Sequence, residues 1–299
     1  MPTPLYCRRC FFAAVILVAA VPAALFAQWP SYPTPGVPRT PDGKPNLSAP
    51  APKTPDGKPD LTGIWENARA IGRTPPAAAP NAKAPATNED IFTGLKTNDD
   101  FLAFAKRSPF WNIGSSFNDG LPFQPWAAEL HQQRVADNNK DNPDAHCLPM
   151  GIMQFHNHGQ PRKMIQTPQV IVILYEANAG IRQIFTDGRP LPGKDADPWW
   201  YGYSTGRWEG DTLVVRSAGF RDLGWLDVEG SPLTDTAQVI ERFRRPDFGH
   251  LEIEVTIDDP KAYTKPWTVT VHQRIMVDTE LIEFVCQENE KDAPHLGAK

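Results

Sequence analysis

What this 299-residue chain lacks is informative before what it contains. Histidine and cysteine are sparse, at seven and four residues, and two of the cysteines, Cys7 and Cys10, fall before Ala27. Past Ala27 no apolar run approaches the roughly 20 residues that a membrane-spanning helix requires, so no integral membrane segment is expected there. Lysine and arginine gather on no periodic face, and the net charge is only −5, so nucleic acid is not an expected partner. A phosphate loop, a Gly-x-Gly-x-x-Gly fingerprint after a strand and a His-Glu-x-x-His pair are all missing. Nucleotide enzymes are thereby disfavoured, and the common serine hydrolase fold is not expected either.

The segment 1–27 has the layout of an export signal. Arg8-Arg9 give a short positive region, Phe11 to Val21 an apolar run, and Ala27 a small residue before Gln28, where a signal peptidase would cut. Pro22 interrupts the run early, which favours a cleaved signal over an uncleaved anchor. The arginine pair echoes a twin-arginine motif, but without a polar residue before it or a basic residue after the aromatics, so ordinary Sec export fits as well. A periplasmic or secreted location follows, where disulfides persist. Cys147 and Cys286 are left to form one. Such a bridge would close a loop of about 140 residues and stabilise by nearly 5 kcal/mol in the chain-entropy model. Two buried free thiols are the alternative.

Residues 28–60 are dominated by Pro, Ala, Thr and Lys and read as a disordered, Pro-rich leader. Within it Arg39-Thr-Pro-Asp-Gly-Lys-Pro-Asn-Leu-Ser48 returns as Lys53-Thr-Pro-Asp-Gly-Lys-Pro-Asp-Leu-Thr62, and Pro-Asp-Gly is turn chemistry. A single β-rich domain is expected over 61–299, starting at Leu61-Thr-Gly-Ile-Trp65, with a helical part over 90–138. Asn98 to Arg107 carries a capping Asn, early acids and late bases. Pro125 to Ala136 opens on a proline suited to the first helical position. From Arg162 onward the pattern turns to strands. Val170 to Tyr175 and Ile181 to Thr186 form a pair. Hairpins follow at Tyr203–Trp208 with Thr212–Ser217, at Val239–Arg245 with Leu251–Ile257, and at Trp267–Ile275 with Leu281–Cys286. Short strands joined by tight turns predict a mainly β fold, an antiparallel meander closing into a barrel-like domain. A β-sandwich is the alternative.

Several of these segments resemble a large family of exported, uncharacterised bacterial proteins. They are Thr54-Pro-Asp-Gly-Lys-Pro-Asp-Leu-Thr-Gly-Ile-Trp65, Phe185-Thr-Asp-Gly-Arg-Pro-Leu-Pro192, Gly206-Arg-Trp-Glu-Gly-Asp-Thr-Leu-Val-Val215, Glu241-Arg-Phe-Arg-Arg245 and Asp258-Asp-Pro-Lys-Ala-Tyr-Thr-Lys-Pro-Trp267. The resemblance implies export and one shared architecture, and it transfers no activity. The Gly-Arg-Trp-Glu-Gly-Asp hairpin also resembles lipocalin-like barrels, although fold alone does not assign function.

Candidate chemistry centres on His156 and His158. On an extended strand, residues i and i+2 face the same side and can share a divalent metal; a solvated polar loop is the plainer alternative. Imidazole also transfers protons near neutral pH. Glu176 ends an apolar strand next to Tyr175, where burial would raise its pKa. His156, His158, Tyr175 and Glu176 are thus the catalytic candidates, and Asp187, Arg189, Tyr203, Trp208 and Arg242 the substrate-binding ones. Glu241 and Arg245 should share one face of their strand and Arg242 and Arg244 the other, with salt bridges as the plainer role. Dense aromatics over 197–203 suit flat ligands such as sugars and aromatic compounds. The expected function is a small-molecule-binding barrel, with non-redox acid–base chemistry as a hydrolase, lyase or isomerase in view. A non-catalytic cell-envelope binding protein and a metal-dependent enzyme using His156 and His158 are the rivals; no cofactor is otherwise expected.

Overall fold

A computed structural model describes residues 33–68, 108–193, 195–286 and 288. The expected signal and the helix expected over 98–107 lie outside them.

Strands form where apolar and polar residues alternate. They are β1 (Gly63–Asn67), β2 (Arg162–Gln166), β3 (Val170–Tyr175), β4 (Ile181–Phe185), β5 (Tyr203–Glu209), β6 (Thr212–Ala218), β7 (Gly224–Trp225), β8 (Pro232–Leu233), β9 (Gln238–Arg244), β10 (His250–Asp258) and β11 (Trp267–Met276). All but β7 and β8, which form a separate two-stranded ribbon, close one barrel in the order β1-β11-β10-β9-β6-β5-β4-β3-β2. Full closure removes the exposed sheet edges that a β-sandwich would leave.

The barrel departs from a simple meander in two places. Strands β4 and β5 pair in parallel through Ile184–Ser204 and Phe185–Thr205, so the chain runs back between them before it re-enters the sheet. The closing partner of β11 is β1, in the register Trp65–Ile275 and Asn67–Gln273, and not residues 281–286, which form no strand. With β1 available, the final segment is left to be held by the Cys147–Cys286 disulfide, whose Cα atoms are 5.7 Å apart.

The repeated Pro-rich stretch is ordered over its described part, contrary to a disordered leader. Each copy folds into the same turn, with bridges Arg39–Pro45 and Lys53–Pro59. Gly43 and Gly57 adopt φ +82° and +79°, conformations open to glycine. These turns dock through backbone bonds from Phe248 to Ala49 and from Gly249 to Leu47. Ion pairs Arg39–Asp278 and Lys53–Asp211 add to them. Prolines exclude helix and ladder, but they do not exclude tight turns that find backbone partners elsewhere.

The barrel interior is lined by both apolar and polar side chains. Leu213, Val215, Phe243, Ile253, Val255 and Ile257 supply an apolar core, while Arg162, Arg182, Ser204, Ser217, Glu241 and Gln273 occupy other inward positions and are equally buried. Among the described residues two α-helices accompany it. Helix α1 (Pro125–Ala136) matches its expected span, and α2 (Ile152–Asn157) is buried at every residue. A helix buried all round belongs to an interior, and α2 lies against inward-facing strand residues. Phe155 stacks on Tyr175 with centroids 4.1 Å apart. The chain enters α2 through Gly151, where a Cβ would fall 1.6 Å from the Trp225 carbonyl oxygen. Gly151→Ala is therefore predicted to destabilise by about 3 kcal/mol, because backbone must move to admit it. Urea unfolding measures this, and a loss below about 1 kcal/mol, the low end for overpacking, would show that the contact yields freely.

Candidate functional site

At the centre of the barrel lies a buried charged cluster. Alternation along β9 turns Val239, Glu241 and Phe243 inward, and alternation along β4 turns Arg182 and Ile184 inward. Arg182 reaches Glu241 with a fork of two bonds, Nη1 to Oε1 at 2.9 Å and a shorter one from Nη2 to Oε2. The same guanidinium donates to Ser204 at 3.2 and 3.1 Å and to Ser217 at 3.1 Å. From α2, the His156 Nε2 meets Glu241 Oε1 at 2.6 Å. Glu241 and His156 are fully buried and Arg182 nearly so.

The charges on this cluster are set by competition. Burial opposes ionisation of Glu241, but the Arg182 charge and the bonds from Arg182 and His156 outweigh it and hold the carboxyl at about 2. Burial also dominates at His156 and lowers its pKa despite the carboxylate, so the imidazole is neutral near pH 7. A neutral ring facing a carboxylate donates through Nε2, which leaves Nδ1 as an acceptor. Burial pushes the Tyr175 phenol up against the opposing charge of Arg182, so it stays protonated.

Beside this cluster sits a second buried arginine. Arg162 donates to the backbone carbonyls of His156 at 3.0 Å and His158 at 3.2 Å. Its hydrogen bonds run to carbonyls and to no carboxylate among the described residues, and burial lowers its pKa to about 10. It remains charged at neutral pH. Among the described residues Arg162 and Arg182 share the interior with one inward carboxylate, Glu241, and the charge of Glu66 also acts on Arg162. Several buried polar atoms around it have no partner in hydrogen-bond geometry among the described residues: His156 Nδ1, Arg162 Nε, the Tyr175 hydroxyl and both amide atoms of Gln273. The Tyr175 hydroxyl lies beside Arg182, whose charge and N–H groups both act on the phenol, although the contact falls short of full hydrogen-bond geometry.

The sequence-predicted residues divide between the interior and elsewhere. His156 and Tyr175 are in the buried cluster. His158 is not: it caps α2, accepts from the Gln160 amide at 3.0 Å and sits edge-on to Phe110. The shared-metal geometry for His156 and His158 fails because this segment is helical, and on a helix residues i and i+2 point to different sides. Among the described residues no group of three His, Cys, Asp or Glu is placed to hold a metal ion. Glu176 accepts from the Ile282 amide at 3.1 Å, which anchors the chain after β11.

Asp187, Arg189 and Tyr203 form a surface cluster outside the barrel. Arg189 Nε donates to both Asp187 oxygens, at 3.0 and 2.9 Å, and the arginine stacks 3.9 Å over Phe185. Arg242 points outward to Glu209 at 3.3 Å. Trp208 packs on the apolar core. These assignments fail as cavity contacts for one reason: each residue except Trp208 occupies the outward phase of its strand or a turn.

Sequence reasoning flagged Glu241 as an acidic candidate with a salt bridge as its plainer role, and missed Arg162, Arg182 and Ser204. A signal existed, since a charged residue in the inward phase of an otherwise apolar strand, as at Arg182, is costly unless paired. The letters Gly202-Tyr-Ser-Thr-Gly206 match the hydrolase elbow, yet Ser204 lies within β5 and bonds Arg182 and Ser217. No strand-to-helix turn presents it, so the nucleophile geometry of that elbow is missing.

No protein-family model, curated protein or solved structure matches this chain.

Proposed function

We propose that this is an exported barrel that binds a small polar organic molecule in its interior, between Arg162, Tyr175, His156 and Gln273. The observation that supports the reading most is the set of unpartnered buried polar atoms on those four residues. Each such group costs about 1–3 kcal/mol when left unpaired. Together they would approach the roughly 5–15 kcal/mol by which whole domains are stable, so a partner for them is strongly favoured. Arg162, which bonds only carbonyls and has a free Nε, selects an occupant with a carboxylate or carbonyl oxygen toward it. The Gln273 amide and His156 Nδ1 suit its hydroxyls, as in a hydroxy acid or an oxidised sugar. Export is supported by the layout of residues 1–27, by the family resemblance and by the disulfide, and a mature chain beginning at Gln28 is expected.

The test is thermal unfolding of the mature protein with a panel of hydroxy, uronic and phenolic acids, since a ligand of the folded state alone raises the melting temperature. A rise of several degrees is expected for at least one class. Tyr175→Phe should abolish that rise and leave the free protein as stable or slightly more so, because it deletes an unpartnered hydroxyl. A panel without effect would overturn the reading. So would a free Tyr175→Phe protein destabilised by about 2 kcal/mol, the scale on which a buried partner is orphaned.

The Glu241–His156 pair supports a second reading, acid–base catalysis. A carboxylate-held neutral imidazole with a free nitrogen is a general base, and the protonated Tyr175 is an acid. His156→Gln keeps a donor toward Glu241 and an amide oxygen as acceptor but cannot take up a proton, so it should remove turnover while retaining binding. A non-catalytic binding protein would have no turnover to lose.

A further inference from the structure

A second site lies on the surface, where residues 198–200 face the β7 turn. An open cleft of about 350 Å³ there is lined by Pro143, Pro198, Trp200, Arg221, Leu223 and Trp225, with Asp222 and Gly224 at the same wall. A narrower pit continues from it toward the core, where Met150, Phe220 and Leu233 join the lining. Ligand pockets run from about 300 to 1,000 Å³, so this one suits a molecule of one or two rings.

Two features define what the cleft would take. Trp200 is 37% exposed, a large ring left at the surface where burial would be favourable. The Arg221 guanidinium lies 5.0 Å over that ring. Stacking uses the flat face of a guanidinium and leaves its in-plane N–H groups free to bind a carboxylate with two bonds. Arg189, Arg207, Arg242, Arg244 and Arg274 each hold a carboxylate of this chain. Arg221 holds none among the described residues. Asp222 accepts from the Asp235 amide at 3.3 Å and can accept a hydroxyl besides. The remaining lining is proline, leucine and tryptophan, which offers few partners for the many hydroxyls of a sugar.

We infer that this cleft binds a planar aromatic carboxylic acid, its ring against Trp200 and its carboxylate on Arg221. The site is separate from the barrel interior and does not depend on an occupant there.

The probe is 4-hydroxybenzoate, with its methyl ester and glucuronate as comparisons, followed by saturation-transfer NMR and calorimetric titration of the mature protein. Binding of the acid is expected, at least tenfold weaker for the ester and for Arg221→Gln, and lost in Trp200→Leu. Both residues are at the surface, so circular dichroism and melting should match the parent protein. Tyr175→Phe should leave this binding unchanged, which separates it from any interior site. Equal binding of the ester, preference for glucuronate, or an unaltered affinity in Arg221→Gln would each overturn the assignment.

Discussion

Glu241→Gln is expected to destabilise the protein by about 3–5 kcal/mol, the range found when one partner of a buried ion pair is removed. The substitution preserves volume, so packing contributes little. What changes is charge: Arg182, 2% exposed, is left without its anion. Ser204 and Ser217 accept its hydrogen bonds but cannot neutralise it. Removing both charges in Arg182→Met with Glu241→Leu should cost less than the sum of the single changes, because no uncompensated ion remains. Urea unfolding of Arg182→Met, Glu241→Leu and the double variant forms the cycle. A Glu241→Gln loss under about 1 kcal/mol, the scale of an exposed pair, would mean that water reaches Arg182 and that the cluster is not truly interior.

Acid titration checks the same pair. The Glu241 carboxyl is held at about 2 against an ordinary 4.5, so its stabilisation is complete above pH 4.5 and is lost as pH falls toward 2. The difference corresponds to about 3 kcal/mol. His156 acts in the same direction at higher pH: below 6.5 the unfolded chain takes up a proton that the buried ring resists. Stability should thus decline in two limbs, and Glu241→Gln should remove the lower one.

The second large effect concerns the disulfide. Cys147 and Cys286 are separated by 139 residues, and a loop of that length stabilises by about 5 kcal/mol in the chain-entropy model. Cys147→Ala with Cys286→Ala, or reduction of the parent protein, should lower the melting temperature by about 10–20 °C, taking roughly 2–4 °C per kcal/mol for a domain of this size. The bridge also holds the segment whose Ile282 amide bonds Glu176. Hydrogen exchange should therefore accelerate first around Glu176 on reduction. A melting temperature unchanged by reduction would show that the unfolded chain is already constrained or that the thiols do not pair in solution.

Much of the barrel was legible from local pattern. Leu251, Ile253, Val255 and Ile257 alternate with polar residues because one face is buried, and β10 spans them. Pro125 opened a helix as its fixed φ suggests. Elements whose cause is distant were not legible. Helix α2 covers only Ile152–Asn157, too short for a helical period to emerge, so His156 read as part of a loop or strand. Every residue in it is buried, and Phe155 and His156 meet Tyr175 and Glu241 of strands remote in sequence. The ordered Pro-rich turns belong to the same class, since Ala49 and Leu47 find their backbone partners at Phe248 and Gly249.

The sequence by itself determined which residues alternate, where turns fall and which two cysteines remain beyond Ala27. These are properties of neighbouring residues, governed by backbone sterics and by the alternating faces of a strand. Tertiary structure alone decided that β1 closes the barrel against β11, that β4 and β5 run parallel, and that Arg182, Glu241 and His156 meet. Those outcomes join positions far apart along the chain, as where Ile64 lies opposite Met276. The reason is physical. A buried charge tolerates only a position where its counter-charge and donors converge, and convergence is a property of closure, not of any segment.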